Sequence, residues 1–217
     1  MSEIGVEPRA VPSGSPLAAL LARVEACRIC VDCPVGAPLP HPPRPVARPS
    51  ATARLLIAGQ APGNRVHQSG IPFNDPSGDR LRGWLGFDRA TFYDTTRVAI
   101  LPMGFCFPGL DAKGGDLPPR RECAPAWRAT LLAEMPQVAL VLAIGKYAQA
   151  WHLGRAGAAS LTATVADWRA ILARPALPRV LPLPHPSWRN TGWLKRNPWF
   201  EADLLPALRA ELSQLGF

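Results

Sequence analysis

Hydrophobic positions along the chain gather into four short runs, separated by stretches with helical spacing. The runs are ARLLIAG (53–59), RVAILPMG (97–104), ALVLAIG (139–145) and RVLPLPHP (179–186). Their length and branched aliphatic content predict buried parallel strands. Helices are predicted around 79–87, 125–135, 147–153 and 165–173. A last helix over 199–215 carries Phe200, Leu204, Leu205, Leu208 and Leu212 on one face, with Pro206 placed to kink it. Near the start, Ser15 and Pro16 offer an N-cap and a proline at the first helical position. Leu17, Leu20, Leu21 and Val24 follow at helical spacing, so a short amphipathic helix should deliver Cys27.

Alternating strands and helices predict an α/β protein, a three-layer α/β/α sandwich around a central four-stranded, mainly parallel sheet. Residues 1–14 are rich in Pro, Gly and Ser without periodicity and are expected to be disordered, leaving 15–217 as one domain. The stretch 34–50, PVGAPLPHPPRPVARPS, reads as an extended connector. In such sheets the site lies beyond the carboxyl ends of the strands. All four runs end in motif-like residues there: GQAPG, LPMGFC, IGK and PHPS.

Composition narrows the class. The 217 residues suit one domain with a sizeable core. No run approaches the roughly 18–20 apolar residues of a membrane span. The opening MSEIGVEPRA has no apolar signal core, so a soluble, cytoplasmic protein is the expectation, with no membrane partner and a monomeric state. A net charge of +8 favours a polyanionic partner such as DNA, although a chain with 26 prolines and many arginines is basic on composition alone. Five cysteines, three of them at successive C-x-x-C spacings (Cys27, Cys30, Cys33) and two far downstream (Cys106, Cys123), suggest metal or redox chemistry. The alternative is that some are simply small buried side chains.

Taken in order, these motifs resemble the uracil-DNA glycosylase superfamily. Gly59-Gln60-Ala61-Pro62-Gly63 resembles its first motif, and His185-Pro186-Ser187 its second. Ser69-Gly70-Ile71-Pro72-Phe73 is similar to the segment carrying the base-stacking phenylalanine. The region from Gly104-Phe105-Cys106-Phe107-Pro108 to Arg121-Glu122-Cys123-Ala124-Pro125 resembles the cysteine-bearing segment of the iron–sulfur branch, family 4. The resemblance implies a monofunctional DNA-repair glycosylase that hydrolyses the N-glycosidic bond of uracil or another deaminated base flipped out of DNA. His185 would then donate to the oxyanion of the departing base. Gln60, Ala61, Pro62 and Gly63 would shape the pocket and hold water, and Phe73 would stack on the base.

Departures from the family pattern redistribute the roles. Ala61 stands where many relatives carry a water-activating Asp or Asn, and Gln60 where the iron–sulfur branch commonly has Glu. Asp75, in a stretch resembling the G-D-x-S-G segment of family 5, is the nearest acid. It is assigned water activation or cation stabilisation, with Asn74 and Gln60 as polar support. The competing reading is that Asp75 caps the helix beginning near Ser77. Pro102 replaces an asparagine that reads the uracil edge, which opens the choice of base; Asn64 or Asn74 are candidate substitutes.

By the same resemblance, four thiolates hold a 4Fe-4S cluster, with structural zinc as the alternative. Cys106 and Cys123 are two of them; Cys27 and Cys30 are favoured for the others, with Cys33 as substitute. The stretch after His185 reads as a loop; the resemblance implies that it enters the minor groove, with Trp193 or Leu194 as wedge and Ser187, Arg189, Lys195 and Arg196 on the DNA. Core packing is the expectation for Trp199 and the alternative to the wedge for Trp193; His152 is expected in packing, His67 near a phosphate or the base or at the surface, and Lys146 as a weak phosphate candidate. Two readings compete with the enzyme: a superfamily member that binds nucleic acid with weak or no catalysis, and a metal-bound enzyme acting on a free nucleotide.

Overall fold

The computed structural model describes residues 14–158 and 160–217. The expectation for 1–14 therefore lies almost wholly outside the described residues. Four strands, β1 (Leu55–Ala58), β2 (Val98–Ile100), β3 (Leu140–Ile144) and β4 (Arg179–Leu183), form one sheet in the order β2-β1-β3-β4. Every pairing is parallel, with Leu55 opposite both Val98 and Leu140, and Leu140 opposite Arg179. The expected sheet is thus found, wholly rather than mainly parallel.

Helices cover both faces. They are α1 (Pro16–Glu25), α2 (Ile29–Asp32), α3 (Asn64–Ser69), α4 (Pro76–Leu85), α5 (Arg89–Tyr93), α6 (Cys123–Ala133), α7 (Gly145–Leu153), α8 (Leu161–Ala166), α9 (Trp168–Leu172), α10 (Thr191–Arg196) and α11 (Leu205–Gln214). Side chains alternate across a strand, so each strand feeds two cores. Leu55, Ile57, Leu142 and Leu181 face a core closed by Leu81 and Trp84 of α4, Phe92 of α5, Trp168 of α9, and Phe200, Leu208 and Leu212 near the C-terminus. Leu56, Ala58, Leu101 and Val141 face the other, closed by Leu17, Leu20 and Val24 of α1 and Trp127 and Leu131 of α6. Small strand residues on that second face, Ala58, Ala99 and Ala143, leave room for the bulk of Trp127 and the methionines. Ser15 caps α1 through its side chain, as the sequence indicated. The long last helix divides into a π-helical turn (Phe200–Leu204) and α11, with Pro206 in the first turn of α11, where its missing N–H is tolerated.

Strands are shorter than the apolar runs that signalled them, because the ends of those runs leave the sheet to build loops. Leu101, just past β2, still donates to Ile57 O (3.0 Å), but Pro102 after it has no N–H to extend the strand. On the far side, β4 pairs only with β3, so Pro182 sits on an edge strand, where proline is compatible with the ladder. The connector 34–50 has no helix, as expected, but bends at 35–37 and 40–41 before running without bends from Pro42 to Ser50. It closes the β2 edge through a two-way antiparallel bridge, Arg48 N–H to Ile100 O (2.7 Å) and Ile100 N–H to Arg48 O (2.8 Å). Among the described residues no helix is long and apolar enough to cross a membrane.

One cation is buried at the centre of the second core. Arg128 of α6 has no exposed surface; it donates from one amino group to Leu101 O (2.6 Å) and Pro102 O (2.7 Å). Its other amino group lies 2.8 Å from His152 Nε2 on α7. Burial and then the Arg128 charge lower the His152 pKa to about 3, so the imidazole stays neutral and Nε2 accepts. His152 is therefore a packing group with a defined partner. Replacing Arg128 with Leu leaves two carbonyls and one imidazole nitrogen unpaired. The expected cost is about 3–5 kcal/mol in urea unfolding, read as a fall in midpoint at constant slope.

Candidate active site

A cleft of about 510 Å³ opens beyond the carboxyl ends of the strands. The turn after β1 supplies Gly59–Gly63, the end of β2 supplies Pro102, and the end of β4 supplies His185. Phe73, Asp75 and Ser77 enter from the segment that starts α4, and Asp116 from the segment following β2. The end of β3 is different. Gly145 takes φ +77° and backs His185, whose Cβ is 3.9 Å from where a Gly145 Cβ would stand. Lys146 is exposed and lies against the Tyr147 ring, outside the cleft. Three of the four motif-like strand ends thus line the cleft, and the fourth shores up its histidine.

His185 has a defined tautomer. The backbone N–H of Ser187 donates to its Nδ1 (3.2 Å), so the neutral ring carries its proton on Nε2. Burial lowers its pKa, against the pull of the Asp75 charge, which raises it. The result is a neutral imidazole with one N–H free to donate. Its loop is tied down on both sides. Asn190 Nδ2 donates to His185 O (2.7 Å), and Arg80 of α4 donates to Ser187 O (2.9 Å) and Thr191 Oγ1 (3.2 Å). Arg80 and Asn190 carried no sequence signal, since neither belongs to a motif.

Phe73 is held in a left-handed conformation, φ +55°, unusual for an aromatic residue. Its neighbours enforce it. Tyr93 donates to Pro72 O (2.8 Å), and Arg82 reaches Phe73 O (3.4 Å). Gly78 admits that carbonyl: a Cβ there would stand 1.7 Å from Phe73 O. The ring packs edge-on to Phe92, and its other side lies 3.3 Å from where a Gly59 Cβ would be. A flat aromatic wall thus borders the cleft beside the first motif.

Asp75 does two things at once. Its Oδ1 accepts from Gly78 N–H (2.8 Å) as the N-cap of α4, and the residue also lines the cleft. The capping reading from the sequence is thus found, and the residue is also placed at the cleft wall. Gln60 lines the cleft, and its carbonyl accepts from Gly104 N–H (2.9 Å). Asn74 is a correction: it is outside the cleft wall, because its Oδ1 accepts from Arg89 (3.3 Å). Asn64, exposed at the start of α3, is also outside it.

A sequence model of the uracil DNA glycosylase superfamily matches residues 47–209. The chain belongs to that superfamily. Among solved structures, that of SMUG2 from Pedobacter heparinus is similar at 14% identity, covering 75% of this chain and 77% of that one, with a TM-score of 0.40. The superfamily match begins at Ala47, so α1, α2 and their cysteines precede it.

Beyond the second superfamily motif the expected loop is helical: a 3-10 turn (Trp188–Asn190) leads straight into α10. This corrects the wedge assignment. Trp193 is buried in the first core, against Trp199 and Phe200, and its indole donates to Thr162 Oγ1 (2.8 Å). Leu194 packs partly against the same core. Trp188, which the motif reading passed over, is 73% exposed at the cleft mouth with the Arg189 guanidinium beside it. Arg189, Lys195 and Arg196 are exposed, and Ser187 lines the cleft. His67 sits in a cluster with His41 and Phe107, ring centroids 4.3 and 5.8 Å away, rather than in the cleft wall.

Four cysteines meet on the opposite side of the β2 end. Cys27, Cys30, Cys106 and Cys123 line one small apolar cavity with Phe105 and Trp127, while Cys33 is exposed and outside it. Trp127 Nε1 donates to Cys27 Sγ (3.3 Å) and Phe105 N–H to Cys123 Sγ (3.3 Å), the type of contact that stabilises a thiolate. Burial, first of all, raises the thiol pKa to about 11 for Cys30 and about 12 for Cys106 and Cys123. As free thiols they are protonated at neutral pH. Among the described residues no group of three or more His, Cys, Asp and Glu is set to hold a single metal ion.

The close approach at Gly78 gives a direct test. Gly78→Ala should drive the Phe73 carbonyl away, at a cost of about 3 kcal/mol or more. For a domain of this size that lowers the thermal midpoint by about 6–12 °C, read by calorimetry.

Proposed function

We propose that this member of the superfamily is a monofunctional DNA glycosylase that releases uracil or another deaminated base by hydrolysis. The observation that carries the reading is the neutral His185 with its free Nε2–H, facing the same cleft as the Phe73 ring. A base flipped out of DNA would stack on Phe73 while its developing oxyanion takes the His185 proton as a hydrogen-bond donor. Asp75, which acts electrostatically on His185, would stabilise the positive charge that builds on the sugar. The backbone of Gln60–Gly63 would hold the attacking water. Without a side-chain donor or acceptor at Pro102, selection among oxo-bases would rest on cleft shape and on His185.

DNA would approach over Trp188, Arg189, Lys195 and Arg196. Trp188 takes the wedge role expected of Trp193 or Leu194, because it is an exposed aromatic at the cleft mouth. Cys27, Cys30, Cys106 and Cys123 would hold a 4Fe-4S cluster, supported by their shared apolar cavity and its N–H donors. The cluster would be structural, fixing α1 and α2 to the segment after β2. A catalytically weak nucleic-acid binder remains the second reading, favoured specifically by Ala61 and Pro102.

The deciding experiment is base release from oligonucleotides carrying uracil, hypoxanthine or xanthine, single- and double-stranded, read by alkaline cleavage at abasic sites. Cleavage of any of them is the expected outcome; a protein that binds DNA and cleaves none favours the second reading. His185→Ala should slow release by about 10²–10³-fold, measured under single turnover. Trp188→Ala should weaken binding of damaged DNA by about 1–3 kcal/mol, read by fluorescence anisotropy. Anaerobically purified protein should be brown and contain iron. Cys106→Ala should lose that iron and Cys33→Ala should keep it; stoichiometric zinc in place of iron would overturn the cluster.

A further inference from the structure

One carboxylate of the cleft has no part in the chemistry above. Asp116 lies in the segment after β2 and lines the cleft. Its Oδ2 stands 3.4 Å from where a Cβ on Gly63 would be, so the carboxylate rests against the backbone of the first motif. Among the described residues no hydrogen bond engages that carboxylate; burial and neighbouring charges act on it. Asp75 differs in that one of its two carboxylate oxygens, Oδ1, is committed to Gly78 N–H as a helix cap.

Activating a water needs a free carboxylate oxygen beside the place where the water is held. In the glycosylase reading that place is the backbone of Gln60–Gly63, where Ala61 contributes no polar side chain. Asp116 arrives at the same backbone from a different segment. We infer that Asp116 is the general base of base release, holding the attacking water against the first motif, while Asp75 stabilises the cationic sugar. This inference rests on the glycosylase reading of the cleft.

The step balances without a further reactant. The water oxygen bonds to C1′ as the C1′–N bond breaks, and the bonding pair departs on the base nitrogen. Asp116 takes the water proton. The anionic base, held by the His185 Nε2–H, regains a proton from solvent as Asp116 returns its own. Two carboxylates with separate tasks are the usual arrangement for hydrolysis at an anomeric carbon.

The surroundings of Asp116 suit a base. Burial raises its pKa first; Arg189 opposes that, and the charges of Asp75 and Asp111 raise it further. Arg189 can lie across the turn because residue 115 is glycine: a Cβ there would stand 2.8 Å from the Arg189 guanidinium and 2.9 Å from Asp111 Oδ2. These charged groups, with His185 beyond Asp75, set the titration. A base with a raised pKa is ionised only above that pKa, so activity should fall on the acid side at a higher pH than an ordinary carboxylate would give.

The test is single-turnover base release by the full-length protein against pH, for wild type, Asp116→Asn and Asp75→Asn, with DNA binding measured alongside. Asp116→Asn should slow release by about 10²–10⁴-fold, abolish the acid limb and leave DNA binding unchanged. Asp75→Asn should also be slow, but should keep an acid limb displaced to lower pH, because one charge that raises the Asp116 pKa is gone. Asp116→Ser should match Asp116→Asn, which separates loss of the base from any misplacement of the amide. If wild type releases base and Asp116→Asn does so equally fast with the same acid limb, the role of Asp116 is overturned alone. If wild type releases no base from any substrate while binding DNA, the glycosylase reading falls, and this role with it.

Discussion

Arg128 carries a permanent charge into a space without solvent, and much of the molecule is arranged to answer it. Two successive carbonyls at the end of β2 and the neutral His152 of α7 take its amino groups. A buried cation left unanswered costs several kcal/mol, so these partners are fixed by necessity as much as by packing. Pro102 is thereby pinned at the point where β2 leaves the sheet to form the cleft wall. Arg128 lies on the same helix as Cys123, only a little further along it. The cysteine cavity, the sheet end and the cleft are in this way three sides of one rigid corner.

The molecule divides its polar groups between that corner and the cleft. On the corner side most interactions are closed: Cys27 and Cys123 meet N–H donors and the Arg128 amino groups meet two carbonyls and an imidazole, while Arg128 Nε has no partner among the described residues. On the cleft side several groups are left open, namely the Nε2–H of His185, the carboxylate of Asp116 and the face of Trp188. Open polar groups held by closed ones are what a preorganised site requires. Arg80 and Asn190 show the principle locally, since both secure the backbone around His185 and Ser187.

The fold was largely legible because each strand signalled itself by an unbroken apolar run, and each major helix by its spacing. Pro102 blurred only a strand end, and Pro182 lies within the edge strand β4. The cleft was legible where a motif follows a strand, as with His185 and the first glycines, and at Phe73, whose motif lies between α3 and α4. It was not legible where a residue arrives from a long segment without pattern, as Asp116 does, or supports a motif from another helix, as Arg80 does. Trp193 misled because an aromatic among basic residues resembles a nucleic-acid contact. It instead points from α10 into the first core, where its ring packs against Trp199 and Phe200 of the following segment. Asn74 misled in the same manner, since proximity in sequence to Asp75 does not determine which way a side chain leaves the backbone.

The bridge between Arg48 and Ile100 has a bearing on how copies of this chain behave toward one another. A bare parallel edge strand is a template on which a second molecule can add its own strand. Here the β2 edge is already occupied, and by a segment whose prolines, Pro42, Pro43, Pro45 and Pro49, have no N–H to pass the ladder on. The connector that looks like mere slack between α2 and β1 is thus a selvedge, the finished border that keeps a woven sheet from catching on its neighbour.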